Sequence, residues 1–187
     1  MSPHPVAAES AAEALRAGGI VAHPAEAVWG LACDPRDEAA TLRLLALKRR
    51  EVDKGLILVA GSLGQLNPFI HWDALPDAAR AQVLAGWPGP HTWIVPATAA
   101  VPAWIRGDHA GVAVRVSAHP PVVALCAAFG GAIVSTSANR AGAPPPRGLV
   151  DLDPAIRGAV DAVLEGEIGG LDRPTTIRDA LTGATVR

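Results

Sequence analysis

The chain has 187 residues, half of them hydrophobic and 18% charged, with a formal net charge of −2. That length fits one domain with a sizeable core, and such a composition excludes an intrinsically disordered chain. The slight negative charge counts against nucleic-acid binding by bulk charge, no apolar run reaches the ~18 residues of a membrane span, and the N-terminus, MSPHPVAAES, lacks the basic-then-apolar pattern of a signal peptide.

Val6–Ala17 is rich in Ala, Glu and Leu and stops at Gly18-Gly19, which predicts a helix with a glycine C-cap. Ile20–His23 reads as a short strand stopped by Pro24, and Val28–Ala32 as a second after a loop. Asp34-Pro35 predicts the next helix start, with Asp as N-cap and Pro in the first turn. Leu42, Leu45 and Ala46 continue at helical spacing and deliver Lys48 and Arg50 near the end. Residues two apart on a helix do not share a face. If both cations meet one ligand, the helix ends or unwinds around Arg49–Val52.

Gly55–Ala60 reads as a buried strand. Helices are predicted over Ser62–Ile70 and Asp77–Ala85, a rigid turn at Gly86–Pro90, and strands at His91–Pro96 and Gly111–Val116. Val122–Phe129 is a helix led in by His119-Pro120-Pro121 and ended by Gly130-Gly131. Ala132–Val134 is a strand that opens into Ser135-Thr136-Ser137-Ala138-Asn139, and Ala143–Arg147 is a stiff loop. A short helix at Asp153–Gly158 and strands at Val160–Leu164, Thr175–Arg178 and Ala184–Arg187 complete the chain. Strands and helices interleave without repeats or a splitting linker. The class is α/β with a mixed sheet, as a single domain over residues 1–187.

Lys48 and Lys54 are the only lysines, and every other basic residue is arginine. Against that bias they suggest a need for compact ammonium groups. With Arg49 and Arg50 they form a dense positive patch beside a buried strand, which suits either an anion site or a solvated helix end. The Ser135–Asn139 stretch follows a buried strand, where α/β proteins bind ligands. Its hydroxyls and amide either fix a polar ligand or form a capping turn. Thr92 and Arg115 are polar positions on strands. Alternation sets Arg115 on the opposite face from Val114 and Val116, or simply toward solvent. Glu26 is either exposed or a buried carboxylate paired with an Arg. The six histidines are scattered and read as surface or packing residues. Cys33 and Cys126 stand alone, as expected of two free buried thiols in a cytosolic protein. No nucleophile elbow, P-loop, HExxH motif or paired Cys/His cluster occurs, so no protein-held metal is expected. The residues alone thus give an α/β domain with cations and hydroxyls suited to phosphate or carboxylate.

Taken in order, His23-Pro24-Ala25-Glu26-Ala27-Val28-Trp29-Gly30-Leu31, Lys48-Arg49-Arg50, Asp53-Lys54-Gly55-Leu56-Ile57-Leu58, Trp87-Pro88-Gly89-Pro90, Val112-Ala113-Val114-Arg115 and Val134-Ser135-Thr136-Ser137-Ala138-Asn139 resemble the YrdC/TsaC family of threonylcarbamoyl-AMP synthases. The resemblance covers nearly the whole chain. The family's Lys-x-Arg and Ser-x-Asn tetrad matches as Lys48, Arg50, Ser137 and Asn139. It implies a twisted open α/β fold with a positively charged concave face. The implied reaction turns L-threonine, bicarbonate (or CO2) and ATP into threonylcarbamoyl-AMP and pyrophosphate in the cytoplasm. The product serves N6-threonylcarbamoyladenosine formation in tRNA, with partner proteins performing the transfer.

On this resemblance Lys48 and Arg50 are the catalytic candidates. Lys54, Thr92, Ser135, Ser137 and Asn139 join them in binding ATP and its phosphates, Arg115 takes the threonine carboxylate, and Mg2+ arrives with ATP. The family usually has Thr where this chain has Ala25, beside the amino-acid substrate. Two rival readings follow: an RNA-binding protein of this fold, or a carbamoyl-adenylate paralogue without threonine specificity.

Overall fold

The structure, a computed structural model, describes residues 4–186. Among these residues nine strands form one mixed sheet: β1 (Pro5–Val6), β2 (Val21–Pro24), β3 (Trp29–Ala32), β4 (Ile57–Ala60), β5 (His91–Pro96), β6 (Gly111–Val116), β7 (Ile133–Ser137), β8 (Ala162–Leu164) and β9 (Thr176–Asp179). Their order across the sheet is β1-β8-β2-β3-β7-β4-β6-β5-β9. β7 joins the two halves. Its Thr136 and Ser137 pair antiparallel with Leu31 and Gly30 of β3, while Ile133 to Ser135 pair antiparallel with Val59 to Ile57 of β4.

Among the described residues seven α-helices flank the sheet: α1 (Ala8–Arg16), α2 (Glu38–Lys48), α3 (Leu63–Leu66), α4 (Asp77–Ala85), α5 (Ala103–Arg106), α6 (Pro120–Phe129) and α7 (Pro154–Ala159). Side chains alternate across a strand, and so the strands supply two cores. Val21, Val59 and Ile133 pack against Ala11, Ala12 and Leu15 of α1 and Val122, Leu125 and Cys126 of α6. Ala22, Leu58, Val114 and Val134 face the other way, onto Leu44 and Leu45 of α2, Leu66 of α3, Val83 of α4 and Ile105 of α5.

Several elements differ from the sequence reading for local reasons. The carboxylate of Asp34 accepts from the Arg36 N–H in a turn, and the second helix is capped instead by Asp37, which accepts from Ala40 N–H at 2.9 Å. Pro68 breaks the Ser62–Ile70 segment into α3 and a 3-10 turn over Asn67–Phe69. The strand predicted from Val160 begins at Ala162, because Val160 closes α7 by donating to Ile156 O. Ala184–Arg187 forms no strand among the described residues. Thr185 makes an isolated bridge to Arg178, and Arg187 lies outside the described residues.

Candidate active site

Where α1 and α6 leave their face of the sheet uncovered, a cleft of about 860 Å3 opens. Register decides which side chains line it. Ser135 pairs with Ile57, Ile57 with Ala113, Val59 with Arg115, and Gly30 with Ser137. The period of two then sets Ile57, Ala113, Arg115, Ser135 and Ser137 on one face, and all of them line the cleft.

The cations arrive from the far layer. α2 ends at Lys48, and Arg49 turns left-handed at φ 52°, ψ 46°. That reversal lets Lys48 and Arg50 reach the same cleft, which a continued helix would forbid. Lys48 is buried, and its ammonium donates to the carbonyls of Ser137 and, at 2.7 Å, of Asn139. It therefore ties the end of α2 to the end of β7. Arg50 Nη2 donates to the carbonyls of Lys54 (3.3 Å) and Gly55 (3.0 Å) and so fixes the turn before β4. Lys54 stands half-exposed at the rim, 3.2 Å from Glu51. Arg49 points to solvent.

Arg115 faces the protein and the cleft rather than solvent, since β6 is an inner strand. Its Nη1 donates to Thr175 Oγ1 at 2.8 Å and Thr92 Oγ1 at 3.1 Å, and its Nη2 to Glu26 Oε2 at 3.2 Å. Ser117 donates to Glu26 Oε1 at 2.7 Å. Burial alone would raise the Glu26 pKa. The adjacent guanidinium and the Ser117 hydroxyl outweigh it, and the carboxyl is held below its usual range. Thr92 thus sits behind Arg115, outside the residues that line the cleft. Ser117 follows from alternation, two positions past Arg115 on the same face. Thr175 carries no such signal, because a loop brings it there.

Ser135 lines the cleft and lies 3.3 Å from Nε2 of His23, a fully buried imidazole. Asn139 donates through Nδ2 to the carbonyls of Arg140 (3.0 Å) and Ala143 (2.7 Å). Its Oδ1 is buried and accepts no hydrogen bond among the described residues. Ala25 lines the cleft beside Glu26. A C-terminal loop crosses here: Gly169 N–H donates to Ala25 O at 2.9 Å and Leu171 N–H to Glu26 O at 3.2 Å. A Cβ at Gly169 would lie 2.6 Å from Glu26 O, so the crossing needs glycine.

Fold and site together define an α/β domain with a cleft that gathers Lys48, Arg50, Lys54 and Arg115 around neutral hydroxyl and amide groups. The chain belongs to the Sua5/YciO/YrdC family, whose model, described as telomere recombination, matches residues 13–187. It is 56% identical over 185 residues, 99% of each chain, to the threonylcarbamoyl-AMP synthase of Xanthomonas campestris pv. campestris strain B100. Over 179 residues, 96% of each chain, it is 56% identical to the protein of the same name from Xanthomonas euvesicatoria pv. vesicatoria. The solved structure of P. abyssi Sua5 complexed with L-threonine superposes with a TM-score of 0.82 at 30% identity, covering 92% of this chain and 50% of that one. The chain thus spans about half the length of that protein. E. coli YciO shares the fold, with a TM-score of 0.81 at 22% identity over 96% of this chain and 89% of its own.

Proposed function

We propose that this chain is a threonylcarbamoyl-AMP synthase, converting L-threonine, CO2 from bicarbonate, and ATP into L-threonylcarbamoyladenylate and pyrophosphate. The observation that carries the reading is 56% identity across 99% of a relative of that name. The cleft supplies suitable chemistry. The threonine amine adds to CO2 and loses a proton, giving a carbamate. A carbamate oxygen then attacks the α-phosphorus, and the bond from that phosphorus to the pyrophosphate oxygen breaks. Such a reaction asks mainly for positioning and for positive charge near the phosphoryl oxygens.

Lys48 and Arg50 face the triphosphate and carbamate, with Lys54 assisting at the rim. Arg115 offers its planar fork to the threonine carboxylate, and Thr92 orients it. Ser137 and Asn139 hold the nucleotide. The cleft carboxylates are Glu26, engaged by Arg115 and Ser117, and Asp179 at the wall. Among the described residues no three His, Cys, Asp or Glu side chains cluster to hold a metal ion. Mg2+ enters on the ATP phosphates. Among the same residues no helix is long and apolar enough to cross a membrane. We place the enzyme in the cytoplasm, where its product passes to the proteins that modify tRNA.

The test is pyrophosphate release from Mg-ATP and bicarbonate, with threonine, with serine, or with no amino acid. Threonine-dependent release is expected. Folded protein that binds ATP but releases no pyrophosphate with any amino acid refutes the synthase. Steeply salt-dependent RNA binding in the same protein would then favour a binding module.

A further inference from the structure

We infer that His23 sets the polarity of the cleft. It takes the hydroxyl hydrogen of Ser135 and leaves Ser135 as an acceptor, which meets an N–H or O–H of a bound substrate rather than a phosphate oxygen. His23 lies on β2 opposite Gly30 of β3. Gly30 makes room for the ring: a Cβ there would stand 2.8 Å from Nε2 and 3.0 Å from Cε1. Nδ1 is 3.3 Å from the carbonyl oxygen of Pro24, and Nε2 is 3.3 Å from Ser135 Oγ. A carbonyl has no hydrogen to give, so Nδ1 carries the ring's hydrogen and donates it. Nε2 then holds a lone pair, and the Ser135 hydroxyl donates to it.

Burial drives the imidazole pKa down to about 4, so the ring is neutral near pH 7 and one tautomer satisfies both contacts. With its hydrogen turned inward, Ser135 presents lone pairs to the cleft it lines. Asn139 has the same polarity. Both carbonyls that its amide nitrogen meets are acceptors, which fixes that nitrogen toward them and leaves Oδ1 as a buried acceptor. The cations of this cleft suit anions; Ser135 and Asn139 suit the other half of a substrate. His23 is a positioning residue in this arrangement.

The substrates named here rest on the synthase reading, and they offer two sources of such a donor: the threonine nitrogen, or the hydroxyl and amino groups of ATP. The tautomer can be read without turnover. Long-range 1H–15N spectra of labelled protein at neutral pH should show His23 as the Nδ1–H form, assigned by its disappearance in His23→Gln. An Nε2–H form overturns the inference. In Ser135→Ala the KM of threonine or of ATP should rise about tenfold, while the Kd of pyrophosphate stays within about twofold. Whichever KM rises names the donor. Weakened pyrophosphate binding, or no rise in either KM, overturns the inference.

His23→Phe should raise the same KM, and His23→Gln should restore it, because the amide oxygen can accept where Nε2 did. Adding His23→Phe to Ser135→Ala should change that KM no further; a further rise in a folded double variant is the contrary result. If His23→Phe does not fold, the spectrum and Ser135→Ala decide. If no turnover is found, equilibrium binding of threonine and of ATP replaces KM, so failure of the synthase reading remains distinct from failure of this one.

Discussion

Acid should act on this fold first through His23. Its pKa falls from 6.5 to about 4 on folding because burial penalises the imidazolium. The Pro24 carbonyl and Glu26 oppose that fall, while Arg115 and His119 add to it. The unfolded chain therefore binds this proton near pH 6.5 and the native chain only near 4. Between those values the unfolded state holds more protons, so stability decreases as the pH drops through the window. At about 1.36 kcal/mol per pH unit the loss reaches roughly 3 kcal/mol, a large part of the ~5–15 kcal/mol of a typical domain. Glu26 does not confuse the measurement. Its pKa is lowered on folding, so its contribution is present above about 4.5 and is lost only in stronger acid. Urea unfolding followed by tryptophan fluorescence at steps from pH 7.5 to 4.5 measures the effect, with His23→Gln as reference. The native protein should lose most of that roughly 3 kcal/mol relative to the variant across the window. Parallel stability curves for the two proteins would refute the reasoning.

Further outcomes follow from the same contacts. Lys48→Met should cut kcat/KM by 100-fold or more, on the order of one lost donor in a preorganised site. It should also cost about 2 kcal/mol in urea unfolding, because two partly buried carbonyls lose their donor; a fully active variant contradicts the assignment. Glu26→Gln removes the charge paired with the buried Arg115, so about 3 kcal/mol of stability should go and the threonine KM should rise, and a loss below 1 kcal/mol would argue against that pairing. Arg49→Gly relieves a left-handed arginine that points to solvent; thermal unfolding should show a gain of about 1 kcal/mol with turnover unchanged. Ala25→Thr should lower the threonine KM, and an unchanged value would show that a hydroxyl at this wall does not meet the substrate.

Much of the fold was legible because its boundaries are punctuated. Asp77–Ala85, His91–Pro96 and Gly111–Val116 fall where the sequence puts them, between prolines and glycines that cannot continue the element. β1 was not legible, because two residues form a strand only when β8 is there to pair with them. The family resemblance picked out Lys48, Arg50, Ser137 and Asn139, and these side chains line one cleft. Alternation set Arg115 opposite Val114 and Val116, which pack in the core of the other face, but only the register shows that Arg115 and Ser135 share a face. What holds Arg115 was harder to read. Glu26, Thr92 and Thr175 come from three separate segments, and their convergence is a property of register and of one crossing loop. His23 reads as a packing residue in one dimension, since neither Gly30 nor Ser135 is near it in the chain.

The reversal at Arg49 assembles the cationic side of the site. Had α2 continued, Arg50 would point ~200° around the axis from Lys48, away from the cleft. The left-handed residue costs about 1 kcal/mol or more, and the contacts around it account for its persistence. Lys48 brings a charge into a buried position, which is unfavourable unless hydrogen bonds replace its water. The carbonyls of Ser137 and Asn139 do so. Arg50 is steadied in the same way by Lys54 and Gly55. Each cation is therefore aimed by the backbone it holds, and each loop is held by the cation it aims. On the proposed synthase reading, an anion entering the cleft meets charge that is already oriented, and little reorganisation remains for the moment of reaction. Truncating either cation should thus disturb stability and turnover together, because the interactions that order the loops also fix the charges in place.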